Sequence, residues 1–138
     1  MNHIPAPLFP LAQTTIQQRV VLTNIIEDKW SKYTAVADLL TDETTHKSWI
    51  NDLKKDKYYR KATHNTYAYR VLQPDGSIIE AWNDDDEIWA GHIILHEMQA
   101  INAVDMIIVV TRYFGWVMLY GERFRHVKDA TKMILDKT

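Results

Sequence analysis

The sequence predicts an α+β fold: a two-layer sandwich in which a mixed β-sheet carries its helices on one face. Three observations support it. Runs of period two alternate with runs of helical period along the chain. Residues 106–110, Met-Ile-Ile-Val-Val, form an unbroken apolar run, as expected of a central strand buried on both faces. The segments follow the order β-β-α-β-(β)-α-β-α, which lays helices against a shared sheet.

Taken in order, residues 1–19 read as a Pro-rich arm. Three of the four prolines fall in its first ten positions, each fixing φ and removing a backbone donor. The domain proper is expected over residues 20–138. Residues 20–26 are β-branched and apolar, residues 27–29 form a turn, and residues 30–40 alternate Tyr33, Ala35 and Ala37 against Thr34, Val36 and Asp38. That is the pattern of an antiparallel hairpin. Thr41-Asp42-Glu43 supplies capping oxygens and acids for a helix start. Trp49, Ile50 and Leu53 then recur at helical spacing, and Lys54, Lys55 and Lys57 favour a last turn that ends near Asp56.

A third strand is expected over residues 62–72, with Tyr67, Tyr69 and Val71 facing away from Thr66, Ala68 and Arg70. Gln73-Pro74-Asp75-Gly76-Ser77 is a turn, residues 78–82 continue briefly as a strand, and residues 83–87 form an acidic turn. A second helix over 90–102 turns Ile94, Met98 and Ile101 inward. The central strand follows over 105–113, and a last helix over 123–136 buries Phe124, Val127, Thr131 and Ile134.

Composition narrows the function. With 46% hydrophobic and 25% charged residues the 138-residue chain is an ordinary globular domain rather than a disordered one. A formal net charge of −2 is not that of a protein devoted to duplex nucleic acid, although a local basic patch is compatible with it. Without cysteine there is no disulfide, thiolate metal site or thiol nucleophile. No apolar run is long enough to cross a bilayer and no signal peptide is read, so the expected location is the cytoplasm.

Several residue groups invite chemistry. His64-Asn65 is either a titratable polar pair at a strand end or a satisfied structural one. Asp84, Asp85 and Asp86 offer oxygens to a hard cation, but without EF-hand spacing they read as a solvated turn. His92 and His96 stand at i, i+4, yet His-Glu-x-x-His is absent and no third ligand appears, so no metal is expected. Arg112, Arg123, Arg70, Lys32 and the lysines of 54–61 compose a candidate positive patch beside Tyr113, Phe114 and Trp116. Such a patch suits a protein hot spot or stacked bases with phosphates equally well. Arg112 pairing with the acidic turn is the structural alternative. No P-loop, dinucleotide fingerprint or nucleophile elbow is present, and neither catalytic residues nor a cofactor are expected.

Five ordered blocks resemble the Impact/YigZ family. They are Ser31-Lys32-Tyr33-Thr34-Ala35, the stretch from Ala62 to Arg70 (ATHNTYAYR), the acidic turn followed by Ala90-Gly91, Val109 to Gly115 (VVTRYFG), and Gly121 to Val127 (GERFRHV). The last block is similar to the eukaryotic branch. The resemblance implies a fold like the second domain of ribosomal small-subunit protein five and a link to translation. In the eukaryotic branch the domain follows an RWD domain, for which the chain before residue 20 is too short. The family's second glycine after "RYFG" is Trp116 here, and its "LG" before the last helix is Leu119-Tyr120. Both departures favour an aromatic contact surface over a small-molecule pocket.

The resulting expectation is a non-catalytic regulatory module that contacts a protein of the translation apparatus or the ribosome. Its binding residues would be Lys32, His64, Asn65, Arg70, Arg112, Tyr113, Phe114, Trp116, Tyr120 and Arg123. The alternatives are an RNA-binding domain, or a degenerate enzyme-like domain for a small phosphorylated or peptide ligand that needs a cleft joining His64, Asp85 and Arg112.

Overall fold

A computed structural model of the chain describes residues 16–138. Five strands, β1 (Val20–Asp28), β2 (Ser31–Leu39), β3 (His64–Leu72), β4 (Ile78–Asn83) and β5 (Met106–Tyr113), form one sheet in the order β1-β2-β5-β3-β4. Every neighbouring pair is antiparallel, so the sheet is not the mixed one expected. The hairpin β1–β2 closes through Lys29 and Trp30, both with positive φ, the turn geometry that matches strand twist. In the centre, β5 pairs with β2 on one side and β3 on the other, joining two hairpins into one sheet.

The helices are α1 (His46–Leu53), α2 (Lys57–Arg60), α3 (Ala90–Ala100) and α4 (Glu122–Leu135), with a 3₁₀ turn at Glu43–Thr45 capped by Asp42. The helix expected from Thr41 to Asp56 is thus divided, and Asp56 caps α2 instead of ending α1. On one face α3 and α4 bury Tyr33, Ala35, Ala68, Ile108 and Val110 with Ile94, Met98, Val127 and Ile134. The opposite face is also covered: Val36, Ile107, Val109, Tyr69 and Val71 pack against Ile50, Leu53 and Tyr59 of α1 and α2. Helices therefore lie on both faces, correcting the two-layer arrangement. An apolar strand with two buried faces requires two covers.

Smaller differences follow from context. Ile16, inside the segment assigned to the arm, is buried in the core, so the globular body begins before residue 20. Residues 1–15 of that arm lie outside the described residues. Ile101 is exposed at the end of α3 instead of facing inward, and Phe124 is only half-buried.

Candidate functional site

Antiparallel register places Tyr33, Arg112 and His64 side by side across β2, β5 and β3, on the α3/α4 face. At this rim the last turn before α3 and the loop from β5 to α4 enclose a cleft of about 250 Å³, lined chiefly by Thr63, His64, Glu87, Arg112, Phe114 and Arg123. Glu87 is the organising anion. Its Oε1 accepts from Arg112 Nη1 at 2.6 Å and its Oε2 lies 3.3 Å from His64 Nε2, with Glu87 and Arg112 each 5% exposed. His64 Nδ1 contacts the Asp85 carbonyl at 2.8 Å, so both ring nitrogens face oxygen acceptors.

The acidic turn, expected to be solvated, instead commits the carboxylates of Asp84 and Asp85 to backbone donors, and of the three aspartates Asp86 alone is exposed. Asp84 accepts from the backbone N–H groups of Gly91 (2.8 Å) and Trp89 (3.2 Å) at the start of α3, and Asp85 accepts from Asn65 N (2.6 Å). Asp85 and Asp86 take positive φ (48° and 65°), a conformation Asp tolerates better than most residues. Asp86, at the outer edge, lines the cleft. No cluster of three metal-ligating side chains occurs among the described residues. His92 and His96 are exposed on α3, with His92 against Trp82.

The structure divides the expected positive patch. Arg112, His64, Phe114 and Arg123 meet at the cleft. Lys32 and Tyr113 occupy the opposite face, where they line a second hollow with Asn24, Trp30 and Tyr58, and the Tyr113 hydroxyl donates to the Tyr58 carbonyl. The lysines of 54–61 also belong to that face, flanking α1 and α2. Arg70 lies about 20 Å along β3 from His64, buried and donating to Glu80 and the Ala103 carbonyl at 2.8 Å each. Asn65 is internal, donating to the Tyr59 carbonyl and accepting from Thr111 Oγ1, so it braces the site instead of presenting to a ligand. The pairing considered for Arg112 is real but uses Glu87, the residue after the three aspartates.

The loop leaving β5 is shaped by two residues. A β-carbon on Gly115 would stand 2.1 Å from the Trp30 carbonyl carbon, so only glycine lets the loop lie against the β1–β2 turn. Its N–H donates to Ser31 Oγ at 3.1 Å. Trp116, at the position where the resemblance leads one to expect glycine, adopts φ 64° and is 88% exposed. Val117, Met118 and Tyr120 are exposed beside it, and Trp30 stands exposed under Gly115. Tyr120 does not take positive φ, so the aromatic at that glycine position is unstrained.

Sequence reasoning missed four participants. Glu87 was absorbed into a turn. Thr63 and Ser31 bind the loop backbone at Phe114 and Gly115; both lie within the family-like blocks, but nothing in those blocks singles them out for that role. His126 on α4 packs on Tyr33 and contacts Asp28 at 2.7 Å, a pair 98 residues apart that no local pattern announces. The Tyr33 hydroxyl is buried without a partner among the described residues, and burial keeps it neutral well above the usual tyrosine range.

The Impact N-terminal domain model matches residues 29–135. The chain is 37% identical over 111 residues to the IMPACT homolog of Dictyostelium discoideum, covering 80% of this chain and 32% of that protein. It is 33% identical over 117 residues to Protein IMPACT of Xenopus laevis, covering 84% and 38%. It therefore spans about a third of the length of these relatives. Among solved structures, a crystal structure of a hypothetical protein superposes with a TM-score of 0.75 at 20% identity, over 86% of this chain and 57% of that one. The two-domain translational regulator Yih1 superposes with a TM-score of 0.53 at 23% identity, over 99% and 54%. The likeness to solved structures shows the fold, and the family model together with the curated relatives shows that this chain belongs to the Impact family.

Proposed function

We propose that this domain is a non-catalytic binding module of translation regulation, engaging a protein of the translation apparatus or the ribosome through its β5–α4 loop. Membership of the Impact family supports the setting, as does a structural neighbour named as a translational regulator. The observation that carries the reading is Trp116. A bulky side chain is held in a left-handed backbone conformation and left almost wholly in solvent. Strain and exposure both oppose stability, and such residues concentrate where a partner is bound. Trp30, Val117, Met118 and Tyr120 extend the apolar surface around it, a composition typical of interface anchors. Glu87 is committed to both His64 and Arg112, which supports a binding role rather than proton transfer.

Affinity capture of ribosomes and associated factors on immobilised protein tests this. Trp116→Ala with Tyr120→Ala is expected to abolish capture while thermal melting stays unchanged; capture equal to wild type would overturn the reading. An RNA interface is less favoured, because Arg112 and Arg70 are neutralised by Glu87 and Glu80 and the remaining cations lie on different faces. Little binding of single-stranded RNA is therefore expected even at low salt, where phosphate contacts are strongest.

A further inference from the structure

The cleft beneath the loop holds donors left without partners among the described residues. Arg112 is 5% exposed and lines the cleft, yet its buried Nε–H has no hydrogen-bond partner among the described residues. Arg123 lines the same cleft with a second buried, unpartnered Nε–H, and its guanidinium is stacked on Phe124 at 4.8 Å without an ion pair among the described residues. Thr63 Oγ accepts from Phe114 N at 2.9 Å, which leaves its hydroxyl proton free to donate. Buried donors are ordinarily satisfied, so two orphaned guanidinium N–H groups in one concavity indicate a missing acceptor.

The charge balance narrows what that acceptor is. Glu87 compensates Arg112, whereas Arg123 has no carboxylate partner among the described residues and Asp86 stands at the exposed margin. One guanidinium thus remains uncompensated inside the cleft, next to two neutralised or uncharged donor groups. Phe114, Met118 and Leu119 give the remaining wall an apolar surface. A volume of about 250 Å³ admits a small organic molecule but not a folded segment.

From this we infer that the cleft is an oxyanion site: it takes the phosphate or carboxylate of a small organic anion on Arg123, Arg112 Nε and Thr63, with the ligand's apolar body against Phe114 and Met118. The site is independent of the contact surface proposed for Trp116, although one loop contributes to both. Met118 lines the cleft and is exposed two residues from Trp116, so occupancy would be felt at the loop.

Titration of the intact protein with inorganic phosphate, phenyl phosphate and benzoate, followed by two-dimensional amide and arginine Nε–H NMR, tests the inference. Saturable shifts are expected at Thr63, Phe114 and the Nε–H signals of Arg112 and Arg123, with phenyl phosphate or benzoate binding at least fivefold tighter than inorganic phosphate. A preference for phenyl phosphate over benzoate identifies a phosphate ligand, and the reverse identifies a carboxylate. Arg123→Ala is expected to weaken binding at least tenfold and Thr63→Ala about threefold, with Arg123→Lys retaining part of it and the amide spectrum confirming each fold. No saturable shift with any of the three anions, or shifts unaltered in Arg123→Ala, would overturn it.

Discussion

Trp116 occupies a conformation that disfavours any residue with a β-carbon by about 1–2 kcal/mol, while a glycine there carries an extra unfolded-state entropy of about 0.5–1 kcal/mol. These opposing terms nearly cancel. Trp116→Gly is therefore expected to change stability by no more than about 1 kcal/mol, in the stabilising direction, as measured by urea denaturation. Glu87 presents the opposite case, because it is the counter-ion of a buried arginine and a neighbour of His64. Glu87→Gln strands a charge in the interior, and a loss of about 3–5 kcal/mol is expected. Replacing Glu87 and Arg112 together by Leu and Met is expected to lose much less, since no uncompensated charge remains, and comparing the two denaturation curves checks both statements.

At the scale of elements, the apolar run in β5 was legible from sequence, and so was most of what packs on it. The hairpin β1–β2, the alternation along β3 and the inward residues Ile94, Met98, Val127 and Ile134 all follow from period and composition. The second helical layer was not read, although Val36, Ile107 and Val109 demanded one. Its cover comes from α1, whose Ile50 and Leu53 were legible as a helical stripe but not as the lining of a second face, and from α2, a four-residue piece too brief for a stripe to stand out. Ile107 is fully buried against that cover, so Ile107→Ala is expected to destabilise by about 2–5 kcal/mol through the cavity it leaves. A merely solvated second face would lose far less, and thermal denaturation distinguishes the two. The candidate site was half legible: Arg112, His64, Phe114 and Arg123 converge, but Lys32 and Tyr113 fall on the other face because strand neighbours point in opposite directions.

Across the whole molecule, distant segments meet at the ends of the sheet. Glu122, at the start of α4, accepts from Tyr120 N and from Lys29 Nζ of the first hairpin turn, a link spanning 93 residues. Backbone N–H groups at Glu122 and Tyr120, then Lys29, lower its carboxyl from 4.5 to about 2. A depressed folded-state value means that the contribution is present above pH 4.5 and disappears as pH falls toward 2. The stability difference between wild type and Glu122→Gln is accordingly expected to stay constant above pH 5 and to close between pH 4.5 and 2, as read from denaturation midpoints.

The position of β5 also fixes when the molecule becomes whole. β2 and β3 never touch as neighbours; the strand between them is made some 34 residues after β3 ends, from Met106 onward. Until that stretch leaves the ribosome, the nascent chain holds two separate ribbons, β1–β2 and β3–β4, each with an open inner edge. Long-range pairing of this kind is slow to assemble. A chain stalled before residue 106 would therefore be a client for chaperones, and the last quarter of the sequence acts as the keystone of folding during synthesis.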